Sequence, residues 1–206
     1  MVHFYSPSPW EVPKGYEKKF QIFGMGPTKA KDLARKINLT RPKGWIVISG
    51  CAGALSPKLR RGHSFLVTEV LFGNKAWKLS APKPAEMLPR AKLTSVSAPV
   101  WDTETKKRMY ELTGAEIVDC EIAFFLDALD ETLIPQVLLL RTVIDESTDA
   151  IRFFDGYKIL PLRLLHPIEL GRFIRFVFSF LVFRSRHSQF FKRVDRLLFL
   201  DEPTQA

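Results

Sequence analysis

The sequence predicts an α/β domain in which helices cover most of the sheet, and three observations lead to this fold class. Segments with the pattern of strands alternate along the chain with segments that have helical spacing. The runs 45–49 and 136–144 are continuously apolar, which is typical of strands buried on both faces. Turns rich in glycine or acidic residues follow several of the strands. In such sheets ligands bind beyond the carboxyl ends of the strands, so these turns are the first place to look for a site.

The individual elements follow from local signals. We expect strands at 2–5, 20–23, 45–49 and 136–144, and a pair of strands at 63–72 and 75–79 around Gly73-Asn74. We expect helices at 27–37, 103–112 and 118–129, and helical structure after Tyr157. The three prolines between residues 6 and 15 require a loop there. The chain is therefore divided into an α/β domain at 1–155 and a basic, aromatic-rich helical tail at 156–206 that packs on it.

Composition narrows the class of protein further. A chain of 206 residues with 46% hydrophobic and 26% charged residues suits one globular domain with a full core. Two cysteines do not form a disulfide framework, and they suit a reducing cytoplasm. The first residues lack the pattern of a signal peptide, so we expect a cytoplasmic protein, with peripheral contact at the inner membrane face as an extension of that expectation.

The net charge of +9 is concentrated near the C-terminus. Seven basic residues and one acid lie between Arg172 and Arg196, which places +6 in that stretch. The apolar run 173–183 is too short for a membrane-spanning helix, which needs about 20 residues. Three alternatives remain: a helix in the core or at a subunit contact, an interfacial helix on anionic lipid, and, less favoured, a nucleic-acid surface. On a helix, one face would carry Phe173, Phe176, Val177, Phe180 and Leu181.

Two glycine-containing turns are candidate ligand sites. Gly24 and Gly26 follow a strand and precede a helix, where free backbone N–H groups attract anions. Small residues, Gly50 to Gly53, follow a buried strand in the same way. Either turn is equally consistent with a tight reversal that binds nothing.

Carboxylates close to a buried arginine form the second group of candidates. Asp119 and Glu121 precede an apolar helical pattern. The alternative role for acids at that position is a favourable interaction with the helix dipole. Asp145 follows an apolar strand, and the alternative interpretation is an acid at a solvent-exposed strand end. Arg141 lies inside that strand, and a buried charge needs a partner. We expect Arg141, Glu121 and Asp145 to form one polar pocket at a rim of the sheet.

These segments form an ordered series that resembles the superfamily of purine nucleoside phosphorylases and methylthioadenosine/adenosylhomocysteine nucleosidases. The segments are Phe23-Gly24-Met25-Gly26, Ser49-Gly50-Cys51-Ala52-Gly53, Val118-Asp119-Cys120-Glu121 and Leu140-Arg141-Thr142-Val143-Ile144-Asp145. They are similar, in that order, to the family's early glycine turn, its Gly-Ser/Thr-Ala-Gly segment, its Val-Asp-Met-Glu segment and its Ile-Arg-x-x-Ser-Asp segment. The resemblance covers residues 20 to about 150. It implies a three-layer α/β sandwich with a central mixed sheet and a helical C-terminal extension.

Three further features are similar to the hopanoid-associated nucleosidases, which remove adenine from adenosylhopane. These are Gly26-Pro27, Thr113-Gly114-Ala115, and Asp155-Gly156 with the basic helices that follow. The resemblance implies an enzyme that cleaves the N-glycosidic bond of an adenosine-type nucleoside, with adenosylhopane as the candidate substrate. A nucleoside-binding relative without activity, and a basic membrane-associating protein without a nucleoside site, are the alternatives.

The resemblance also implies roles for individual residues. Asp145 matches the family's catalytic aspartate and would protonate the departing base. Glu121 matches the glutamate that accepts hydrogen bonds from ribose hydroxyls. Arg141 would hold the Asp145 loop or bind an anion. Val118 and Ile117 would line the base.

The family's nucleosidases also use a glutamate after the first strand to activate water, and Glu11 lies at a suitable distance from the N-terminus; a surface acid is the alternative. Ala52 and Gly53 would contact substrate beside Cys120, which replaces a methionine and suggests a roomier pocket.

Gly24, Gly26, Cys51 and Arg141 would bind phosphate or the catalytic water. Cys51 replaces a serine or threonine and is a weaker hydrogen-bond donor, which favours water over phosphate as the second reactant. We expect no metal and no cofactor, with phosphate as the one candidate co-substrate, and a homodimer or larger homo-oligomer.

Overall fold

The computed structural model describes residues 1–149 and 167–200, which form eight strands and four α-helices. The strands are β1 (Val2–Ser6), β2 (Phe20–Ile22), β3 (Trp45–Ala54), β4 (Ser64–Phe72), β5 (Lys75–Lys78), β6 (Arg90–Ser95), β7 (Ile117–Asp119) and β8 (Val137–Asp145). The helices are α1 (Pro27–Thr40), α2 (Thr103–Thr113), α3 (Ile122–Ala128) and α4 (Pro167–Leu200). The alternation of strands and helices predicted from sequence is confirmed.

The sheet is mixed and folds back on itself. Strand β3 runs parallel to β1 and β8 and antiparallel to β7. Strand β8 pairs with β4 in antiparallel fashion, β4 is parallel to β6, and β6 is parallel to β7. The five strands β3, β8, β4, β6 and β7 therefore form a closed ring of hydrogen-bonded neighbours. Strand β2 extends the sheet from β1, and β5 forms the predicted hairpin with β4.

Helices cover both faces of the sheet because the buried strands carry apolar side chains on both sides. Along β8, Leu139 and Val143 belong to the cluster that includes α1 and α3, whereas Leu138 and Leu140 belong to the cluster that includes α4. Alternate residues of a strand point to opposite faces, so one continuous apolar run supplies two cores. The prediction of three layers around a central mixed sheet is confirmed.

The structure corrects two element boundaries and adds a strand. Strand β3 continues to Ala54, so the segment 50–53 lies within a strand and is not a turn. The predicted helix 118–129 is the short strand β7 followed by α3. Three buried residues are too few for a period of two to be distinguished from a helical period. Strand β6 was not predicted, because Arg90 and Lys92 break the apolar pattern of that segment.

Helix α4 presents a different inner face from the one expected. Among the residues of this helix whose side-chain burial is described, the buried ones are Ser179, Phe183, His187, Ser188, Phe191, Val194 and Leu198. On the predicted apolar face, Val177 and Leu181 are exposed and Phe180 is half-buried, while the side chains of Phe173 and Phe176 lie outside the described part of the structure. The expected tail at 156–206 is described only over 167–200. Over residues 1–149 and 167–200, no helix is both long enough and apolar enough to cross a bilayer.

A buried histidine fixes α4 to the sheet. The His187 ring lies 2.9 Å from Ser49 Oγ and 2.7 Å from Thr142 Oγ1, and it stacks on Phe183. Burial, reinforced by the charge of Arg141, lowers the pKa of His187 to about 3. In the unfolded chain this imidazole takes up a proton near pH 6.5. Stability is therefore lost as the pH falls below that value, because the folded protein does not bind the proton until about pH 3.

We predict that the His187→Gln variant loses this pH dependence. From pH 7 to pH 5, the difference in unfolding free energy between wild type and variant should shrink by about 2 kcal/mol. Urea denaturation at the two pH values measures the difference, and His63→Gln, at an exposed histidine, is the control. A constant difference would mean that His187 is not buried in neutral form.

Candidate functional site

A buried ion pair forms the base of the candidate site. Arg141 in β8 donates to Asp119 Oδ2 at the end of β7, from Nε at 3.2 Å and from a terminal nitrogen at 2.9 Å. Both side chains are 1% exposed. Ser95 Oγ donates to Asp119 Oδ1 at 2.6 Å and accepts from the N–H of Ala123 at 3.0 Å. The pair therefore links the ends of β6 and β7 and the middle of β8 to the start of α3.

Glu121 lies beside this pair and faces the N-terminus of α1. Its Oε1 accepts from the N–H of Gly26 at 3.1 Å, and its Oε2 accepts from the N–H of Cys120 at 3.3 Å. Gly26 has a φ of 89°, in the left-handed region, where glycine avoids the strain other residues would meet. Burial, followed by the charges of Asp119 and Glu11, raises the pKa of Glu121 to about 7. At neutral pH the carboxyl group is therefore only partly ionised, and a ligand that donates hydrogen bonds to it would favour the ionised form.

Glu11 lies over the middle of β3. Its Oε2 accepts from the N–H of Cys51 at 2.7 Å, and its Oε1 accepts from Ser8 Oγ at 2.8 Å. The residue is 8% exposed, so the alternative of a surface acid is wrong. A Cβ on Gly50 would lie 2.7 Å from Glu11 Oε2, which explains why the strand carries glycine there.

Asp145 lies over the end of the same strand. Strand β8 skips Ile144 in its pairing with β3, and this irregularity sets Asp145 opposite Gly53. A Cβ on Gly53 would lie 3.0 Å from Asp145 Oδ1. On the other side, Asp145 Oδ2 accepts a hydrogen bond from the ammonium group of Lys106 in α2. The Asp145 side chain remains 19% exposed.

Two of the three carboxyl groups approach the backbone of β3, and the third, Glu121, lies close to one of them. Glu11 and Asp145 contact positions three residues apart, which corresponds to about 10 Å along an extended strand. Glu121 is close enough to Glu11 for their charges to interact. A ligand that contacts both Glu11 and Asp145 would therefore have to extend along β3 by about this distance.

The structure places the remaining predicted residues around this stretch. Val118 packs against Gly53, with Cγ1 3.3 Å from the position of a Cβ there. Ile117 and Ala52 are fully buried in the core cluster, so only their backbone groups can face a ligand. The backbone N–H of Gly24 donates to the carbonyl of Pro7.

The two thiols are half-buried and not acidic. Burial and the charge of Glu11 raise the pKa of Cys51 well above its usual value. Burial and the charge of Glu121 raise that of Cys120 to about 12. Both therefore stay protonated at neutral pH, which is unsuited to nucleophilic chemistry. Over residues 1–149 and 167–200, no group of His, Cys, Asp and Glu side chains is arranged to hold a metal ion.

Two expectations about the charges need correction. Arg141 is paired with Asp119, one of the acids considered for it, and its charge also acts on Glu121. Its remaining terminal nitrogen donates to the carbonyl of Leu140 at 3.1 Å. The charge that acts most strongly on Asp145 is instead that of Lys106. The prediction that Arg141 holds the Asp145 loop is wrong, because Lys106 does so. Lys106 was missed because it stands next to Lys107 in a polar helix, and the sequence does not indicate which of the two is buried.

Comparisons with known proteins identify the fold. No family model matches the chain, and no curated protein matches it in sequence. Solved structures do match. A methylthioadenosine/adenosylhomocysteine nucleosidase described as putative, from Francisella philomiragia, has a TM-score of 0.69 at 14% identity, over 95% of this chain and 98% of that one. The futalosine hydrolase of Helicobacter pylori has a TM-score of 0.67 at 13% identity, over 95% and 97%.

A plant structure agrees with the two bacterial ones. The 5′-methylthioadenosine nucleosidase of Arabidopsis thaliana has a TM-score of 0.63 at 16% identity, over 95% of each chain. The matches extend over nearly the whole of each partner, so they concern the complete domain and not one motif. The chain therefore has the mixed α/β fold, with a C-terminal helix, that these nucleosidases share.

Proposed function

We propose that this protein is a purine nucleosidase that hydrolyses the N-glycosidic bond of an adenosine-type nucleoside. The observation that carries the proposal is that Glu11 and Asp145 each approach the backbone of β3 at a glycine that leaves room for their oxygens, with Glu121 close enough to Glu11 for their charges to interact. The fold of known nucleosidases supports it, and so does the sequence resemblance.

Asp145 and Glu121 would act on the two halves of the nucleoside. When the bond to the sugar breaks, its electron pair goes to the base, and a proton on a ring nitrogen makes the base a better leaving group. Asp145 would transfer that proton. Burial raises the pKa of Asp145, which keeps a larger fraction protonated near neutral pH. Glu121 would accept hydrogen bonds from ribose hydroxyls, which also favour its ionised form.

Glu11 would take a proton from water as the water oxygen bonds to the sugar cation. The reaction is then balanced: one proton reaches the base from Asp145, and one leaves water for Glu11. Hydrolysis is favoured over phosphorolysis because Arg141, the expected anion ligand, is buried and committed to Asp119. A phosphate dianion would instead meet the neighbouring carboxyl groups of Glu11 and Glu121, whose negative charges repel it.

The finer proposal concerns the 5′-substituent, which we infer to be apolar, as in adenosylhopane. Trp10, next to Glu11, is 65% exposed and contacts Phe180 of α4. On the outer face of α4, Ile174, Phe178 and Leu181 are each about 60% exposed. These side chains form an apolar surface near the candidate site that suits an apolar substrate group at a membrane surface. A contact between two copies of this chain is the alternative use of that surface.

Adenine release tests the proposal. We expect the wild-type protein to release adenine from adenosine-type nucleosides, and the Glu121→Gln variant to lose about 10–100-fold in kcat/KM. The expected loss reflects hydrogen bonds to a charged group, worth about 1.5–3 kcal/mol. Chromatography of the free base measures both. Glu111→Gln, at an exposed glutamate, is the control and should retain full activity. Equal activity of the Glu121→Gln variant and wild type would remove Glu121 from the site.

A further inference from the structure

The ammonium group of the buried Lys106 in α2 makes three hydrogen bonds. The Lys106 side chain is 1% exposed. Its ammonium group donates to Asp145 Oδ2, to the carbonyl of Glu146 at 3.0 Å and to the carbonyl of Asp149 at 3.1 Å. An ammonium group has three N–H donors, and here each has an acceptor. All three acceptors belong to the segment 145–149.

We propose that Lys106 is a positioning residue: it holds the Asp145 carboxyl group toward the base subsite and stabilises the negative charge that develops there when the proton leaves. The inference rests on the proposed function, in which Asp145 is the acid. The contact of Oδ2 with Lys106 leaves Oδ1, the oxygen over Gly53, to face the ligand. The two carbonyl contacts fix the ammonium group, so it does not need to reorganise during the reaction.

The charged groups around Asp145 and its burial act on its pKa together with Lys106. Asp149 lies nearby and is itself paired with Arg61, and Glu146 is 3.6 Å from Arg60. Burial raises the pKa of Asp145, Lys106 opposes that rise most strongly, Asp149 adds to it, and Arg61 opposes it. Lys106 therefore keeps the acid able to release its proton in a site where burial alone would retain it.

The proton transfer itself needs no additional reactant. One proton moves from Asp145 to a ring nitrogen of the base while the glycosidic electrons move to the base. Asp145 becomes a carboxylate paired with the ammonium group of Lys106. The next proton for Asp145 comes from solvent, which its partial exposure allows.

The test combines Lys106→Met with Lys106→Gln, which removes the charge but keeps a donor. We expect the pKa of Asp145, followed by ¹³C NMR of its carboxyl carbon, to rise by at least one unit in both. We also expect the alkaline limb of the kcat profile to move upward with it, and kcat at pH 7 to fall at least 10-fold with a smaller change in KM. Lys107→Met, at the exposed neighbour, is the control.

Two outcomes overturn the proposal. In the first, the pKa of Asp145 stays unchanged in folded Lys106 variants. In the second, kcat falls without movement of the alkaline limb, which would indicate a purely structural lysine. The NMR titration needs no substrate. If wild-type protein cleaves no nucleoside, the proposed function fails, while the titration still determines whether Lys106 controls Asp145.

Discussion

Replacing Asp119 with leucine should lower the free energy of unfolding by about 3–5 kcal/mol, because it leaves Arg141 charged, buried and without a carboxylate. A loss of this size is a large part of the total stability of a domain, which is about 5–15 kcal/mol. Ser95 would lose its acceptor in the same variant. Urea denaturation at pH 7 measures the change.

Two further variants define the cause of that loss. Asp32→Asn breaks the exposed pair with Arg35, and it should change stability by about 0.5 kcal/mol or less. The double variant Asp119→Leu with Arg141→Met should recover most of the loss, because it removes the uncompensated charge. If Asp119→Leu costs no more than Asp32→Asn, the ion pair does not support the site as we describe.

The second large effect is expected on catalysis. Glu11→Gln and Asp145→Asn should each lower kcat by about 10²–10⁴-fold, the usual range for loss of a general base or acid. Both replacements keep the size of the side chain and one of its two acceptor oxygens, but they remove the group that titrates. Base release under saturating nucleoside measures kcat, and Glu17→Gln, at an exposed acid of the same loop, should leave it unchanged. Retention of more than half of the wild-type kcat in either variant would rule out the corresponding role.

The sequence was most informative where a residue type has a strong local preference. Continuous apolar runs located β3 and β8, and Pro27 located the start of α1. The same reasoning failed at Gly50 and Gly53, which resemble turn residues. These glycines stand in a strand because the carboxylates of Glu11 and Asp145 approach its backbone, and that approach is a tertiary contact.

Pairings between charges were the least predictable feature of the candidate site. A buried arginine requires an acidic partner, but the sequence contains several acids that could pair with Arg141. The choice of Asp119 depends on β8 and β7 both pairing with β3, which places Arg141 opposite Gly50 and Asp119 next to Val118, the partner of Gly53. Lys106 gave no local signal, because its burial results from the packing of α2 against the segment after β8.

The central claim is that this protein breaks a nucleoside by means of water. The most direct test is to incubate wild-type protein with adenosine, methylthioadenosine, inosine and adenosylhopane, with and without phosphate, and to identify both products. We predict free adenine and a free sugar from one or more adenosine-type substrates, at a rate that phosphate does not change and that Glu11→Gln lowers by at least about 100-fold. Release that requires phosphate, or no release of base from any of the four by correctly folded protein, would contradict the claim.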